Sequence, residues 1–104
     1  MNRPFPRLVL KVERGDLPRR ETTWLHFHIS TDMRKTARDL IMTVPDIVRI
    51  TSICVWRNGM ANKHTIYTPH EAPWQFPRNF LCSHSQRVSY TAILPKEVLD
   101  EATR

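Results

Sequence analysis

The sequence predicts an α+β domain: a mixed, mostly antiparallel sheet of four to six strands, one main helix on one face and a short C-terminal helix. Three observations carry this expectation. Two N-terminal segments alternate apolar and polar side chains with period two. A stripe between Met33 and Val44 has helical spacing. The chain then returns to short segments rich in β-branched residues.

Residues 1–6, with Pro4 and Pro6, read as an extended N-terminal arm, and Arg7 to Arg14 reads as the first strand. Leu8, Leu10 and Val12 alternate there with Val9, Lys11 and Glu13, which puts the even positions toward a core. Gly15-Asp16-Leu17-Pro18 is a turn by composition, extended by Arg19, Arg20 and Glu21 as an exposed loop. Thr22 to Ser30 is the second strand. Leu25, Phe27 and Ile29 lie on one side of it, with Trp24, His26, His28 and Ser30 on the other.

Ser30-Thr31-Asp32 offers an N-cap for a helix whose apolar stripe is Met33, Ala37, Leu40, Ile41 and Val44. Pro45 disfavours helical geometry at Val44 and ends the helix there. Val48 to Arg57 is a third strand with two competing face assignments: Ile50, Cys54 and Trp56 against Thr51, Ile53 and Val55. Asn58-Gly59 is a hairpin turn signal, followed by a short strand from Lys63 to Thr68. Pro69 to Pro77 reads as a loop, Phe80 to Ser85 as a further short strand, and Val88, Tyr90, Ala92 and Leu94 as a final alternating strand. Pro95 suits the first turn of the C-terminal helix. The order strand–strand–helix–strand–strand is similar to that of β-grasp, ubiquitin-like folds. The expected core is Leu8, Leu10, Val12, Leu25, Phe27, Ile29, Ala37, Leu40, Ile41, Tyr90 and Ala92, lying between the sheet and one helix.

A chain of 104 residues is one domain, 1–104, and a domain of this size buries roughly 60–65% of its unfolded surface. No stretch approaches the ~18 apolar residues of a membrane span, and the first ten residues hold no apolar run of a secretory signal. Two cysteines do not make a disulfide framework, so the expectation is a cytoplasmic protein with Cys54 and Cys82 reduced.

Charge is the most unusual feature. Sixteen Lys and Arg against ten Asp and Glu leave +6 and a pI near 10.0. Glu97, Asp100 and Glu101 concentrate acid at the C-terminus, so residues 1–96 carry +8. Twelve of the basic residues are Arg, whose planar guanidinium suits phosphate and carboxylate. The expected partner is therefore a nucleic acid, a nucleoprotein complex or an acidic protein surface, bound by a non-catalytic module. In the second case the chain would be a protein-interaction adaptor or small inhibitor. Candidate binding residues are Lys11, Trp24, His26 and His28 on an open sheet face, joined by Arg87 or Trp56, and the basic residues Arg19, Arg20, Arg34 and Arg38, with Arg49 adding to the same basic surface. Aromatics among cations on an open sheet are what single strands use for stacking and charge. The competing place for Trp24 is underneath the Pro69–Pro77 loop.

Chemistry-bearing motifs are sparse. His26-x-His28 and Cys82-x-His84 are zinc-ligand types at strand spacing, but their pairing is not implied by the sequence, and no metal or other cofactor is expected. His28-Ile29-Ser30 resembles one half of the paired His-x-Ser/Thr signature of 2H phosphoesterases. His64-Thr65-Ile66 and His84-Ser85-Gln86 do not supply the second half, so no enzyme is expected. With only Gly15 and Gly59 there is no glycine-rich phosphate loop.

Overall fold

The computed structural model describes residues 6–69 and 87–104. Its elements are β1 (Arg7–Arg14), β2 (Glu21–Phe27), α1 (Met33–Thr43), β3 (Ile47–Val55), β4 (Met60–Tyr67), β5 (Arg87–Ser89), α2 (Tyr90–Ile93) and α3 (Lys96–Thr103). The five strands form one sheet in the order β2-β1-β3-β4-β5, and every described ladder is antiparallel. The α+β class and the strand–strand–helix–strand–strand order stand as the sequence predicts. The expected Phe80–Ser85 strand and nearly all of the Pro69–Pro77 loop lie outside the described residues.

Helix α1 begins where the sequence places it. Asp32 caps it, its carboxylate accepting the Lys35 backbone N–H at 3.2 Å, and Val44 ends it, donating to the Leu40 carbonyl. The stripe Met33, Ala37, Leu40 and Ile41 packs on Leu8, Leu10, Val12, Ile50 and Ile66, with Leu25 and Phe27 at its edge. The β1–β2 turn uses Gly15 at φ 81°, and the β3–β4 turn uses Gly59 at φ 89°, backbone that favours glycine.

The C-terminal end departs from expectation. Strand β5 stops at Ser89, and Tyr90 to Ile93 is helical. The Tyr90 N–H donates to the Gly59 carbonyl at 3.1 Å, so the chain leaves the sheet by turning over the β3–β4 hairpin. Helices α2 and α3 then pack on the sheet face opposite α1. Tyr90, Leu94 and Ala102 are buried there against Val9, Ile53, Val55 and Ala61. The fold thus has two cores rather than one. Tyr90 belongs to the second, Ala92 is exposed and Ile29 is only half-buried. The physical reason lies in β1 and β3. Val9, Ile53 and Val55 sit out of phase with the first core, and helical cover removes that second apolar surface from water.

No described helix is long and apolar enough to cross a membrane. Cys54 is buried in β3 and disulfide-bonded, which corrects the expectation of a free thiol there; Cys82, the other cysteine in the sequence, lies outside the described residues.

Candidate functional site

Strand register decides what the second face presents. Reading from β2 to β4, one row across it is His26, Val9, Ile53 and Lys63. The next row is Trp24, Lys11, Thr51 and Thr65, and the last is Thr22, Glu13 and Arg49. The face therefore changes character along the strands. Its Val9–Ile53–Val55 half is apolar and lies under α2 and α3, whereas the half toward Glu13 and Arg49 is polar.

That polar half forms a cavity of about 220 Å³ lined by Lys11, Glu13, Arg49, Thr51, Lys63, Thr65 and Ile93. Three cations and two hydroxyls face one carboxylate. The Glu13 side chain is 10% exposed and lies between two guanidinium groups, Arg49 at 3.6 Å and Arg20 at 4.0 Å. These separations are longer than direct charge-assisted hydrogen bonds, so the carboxylate offsets the cations without gripping them closely. Arg20 is tied further by its Nε donating to the Gly15 carbonyl at 2.9 Å, and the Arg49 side chain is 50% exposed. The pocket keeps a cationic excess with a solvent-facing guanidinium at its mouth.

A second cavity, of about 360 Å³, adjoins the first and shares Lys11 and Ile93 with it. Trp24, Thr91, Ala92, Leu94 and Pro95 complete its walls. Lys11 and Trp24 are direct cross-strand partners, and the ammonium stands 5.5 Å from the indole centroid, a cation–π contact. Lys11 is thus the hinge between a cationic compartment and an aromatic one.

The sequence-derived candidates separate in this frame. Lys11 and Trp24 come together, and Arg20 stands behind Glu13. Trp24 and His26 are both half-buried rather than on a bare sheet face. Trp24 packs against the second core, and His26 is 11% exposed with its Nε2 3.2 Å from the Glu101 carboxylate of α3. A helix predicted as a short tail covers that part of the sheet. His28 lies beyond β2, exposed, with Nδ1 2.7 Å from the Ser30 hydroxyl. Arg34 and Arg38 are exposed positions of α1, on the other side of the sheet. Arg87 pairs with Asn62, one residue out of phase with Ala61 and Val88, so it falls on the α1 face. Arg19 is exposed in the β1–β2 loop, and Trp56 follows β3 at the hairpin.

Arg49 belongs to the basic residues that the charge pattern singles out, whereas Thr51, Lys63 and Thr65 are not among the site residues the sequence points to. A signal for them exists: Lys11-x-Glu13, Arg49-x-Thr51 and Lys63-x-Thr65 are polar pairs two apart in three successive sheet neighbours. Of the four zinc-ligand candidates, Cys82 and His84 lie outside the described residues. Among the described residues no group of three or more His, Cys, Asp or Glu side chains converges.

Comparison with protein-family models, with curated proteins and with solved structures returns no match.

Proposed function

We propose that this chain is a small, non-catalytic binding module that takes nucleic acid, free or within a nucleoprotein complex, on the polar half of its second sheet face. The observation that carries the proposal is the cavity in which Lys11, Arg49 and Lys63 converge with the hydroxyls of Thr51 and Thr65. Ammonium, guanidinium and hydroxyl groups are the donors that phosphate oxygens take. The excess of Arg over Lys and the +8 balance of residues 1–96 add a long-range field of the same sign.

Salt dependence tests this. Each single-strand phosphate neutralised contributes about −0.7 to the slope of log affinity against log salt, so one phosphate held by the three pocket cations costs about threefold in affinity between 50 and 200 mM salt. The double variant Arg49→Ala, Lys63→Ala loses two of the three cations around that phosphate, and both its affinity at 50 mM salt and its slope fall. Fluorescence anisotropy with labelled oligonucleotides over that range reads both values. No binding at the lower salt, or a slope identical in the double variant, would overturn the proposal and favour an acidic protein as the partner.

A further inference from the structure

Resting on that nucleic-acid reading, we infer that the two adjoining cavities together hold one nucleotide unit of a single strand. Its phosphate sits among Lys11, Arg49 and Lys63, and its base sits on Trp24. Three observations lead here. The cationic cavity and the Trp24 cavity share Lys11 and Ile93 in their linings, so they lie side by side, within reach of one ligand. Their linings are chemically unlike. The first is charged and hydroxylic, while the second sets an indole with Ala92, Ile93, Leu94 and Pro95 beside Thr91 and the shared Lys11. A nucleotide has the same division, an anionic phosphate joined to a flat aromatic base. Finally, the aromatic compartment is shallow and open to solvent, with Thr91, Ala92 and Pro95 exposed along it.

That shape selects the form of nucleic acid. A duplex keeps its bases paired and stacked inside, and it is read by an element that projects into its groove. An indole face on an open surface stacks only with a base that has left the stack, as single strands allow. Lys11 couples the two compartments. Its ammonium stands 5.5 Å from the indole centroid. A phosphate entering beside Arg49 draws that ammonium toward itself, and the base takes the vacated ring face. Charge and stacking are then gained in one exchange, without moving the backbone.

The test uses the full chain and three labelled ligands of equal length: a pyrimidine single strand, the corresponding duplex, and a single strand with abasic sites that keeps every phosphate. The base-bearing strand is expected to bind roughly tenfold to a hundredfold more tightly than the abasic strand, and more tightly than the duplex. Because the ligand is altered rather than the protein, the result does not depend on a Trp24 variant folding. With the protein altered instead, Trp24→Phe should keep most of the preference for bases and Trp24→Leu should lose it. If all three ligands bind alike, or the duplex binds best, the nucleotide-unit assignment fails while the basic surface stands. If none binds at low salt, both fail.

Discussion

Ile53→Ala tests the feature of this fold that positions the site, the second core. Ile53 is 1% exposed in the cluster formed by Val9, Val55, Ala61, Tyr90, Leu94 and Ala102. Its truncation removes three carbons from a fully buried position, about 2.4 kcal/mol at roughly 0.8 kcal/mol per methylene. The space left behind adds to this, for about 3–4 kcal/mol in all. In a domain of this size that lowers Tm by roughly 12–30 °C. Thermal and urea unfolding followed by circular dichroism would measure it, with Met42→Ala as the control. Met42 is 83% exposed, so its truncation should stay within about 0.5 kcal/mol. The face assignment is tested by pairing each of Ile53→Ala and Ile50→Ala with Leu94→Ala. Ile53 shares its cluster with Leu94 and should couple by more than about 0.5 kcal/mol. Ile50, in the α1 core, should be additive with it. An Ile53 variant as stable as the Met42 control, or coupling of Leu94 with Ile50 and not with Ile53, would refute the two-core arrangement.

Two further outcomes are expected. Gly15→Ala should destabilise more than Gly59→Ala in urea unfolding. Both glycines have positive φ, which costs an L-residue about 1–2 kcal/mol, but a Cβ on Gly15 also meets the Arg19 carbonyl oxygen at 3.2 Å, whereas one on Gly59 meets nothing; the reverse order would contradict the turn geometry. Because Cys54 is disulfide-bonded, alkylation of unreduced, denatured protein followed by mass spectrometry should leave Cys54 unlabelled, and labelling appears only after reduction. A labelled Cys54 before reduction would show that it is a thiol.

Local patterns resolved what depends on neighbours in the chain. Period-two alternation in Arg7–Arg14 and in the Leu25/Phe27 stretch, the Met33–Val44 stripe with its Asp32 cap, and the glycine turns at 15 and 59 all correspond to observed elements. The Val88–Leu94 alternation misled because Tyr90, Ile93 and Leu94 also satisfy a helical repeat. The Tyr90 N–H bond to Gly59, a contact distant in sequence, stands at the point where strand gives way to helix.

The amino-acid sequence by itself determined the class of the domain, its main helix α1 and its cationic character, because propensity, periodicity and charge are properties of short segments. The tertiary structure decided which cations meet. The face of β3 could not be read from the strand alone, since both of its sets are largely apolar. Only its pairing with β1 and β4 puts Arg49 and Thr51 beside Lys11 and Lys63. The same pairing leaves an apolar half next to a polar one. Burial of the first under α2 and α3 turns the second into a walled pocket, because helices settle where they remove apolar surface from water and stop where charge begins.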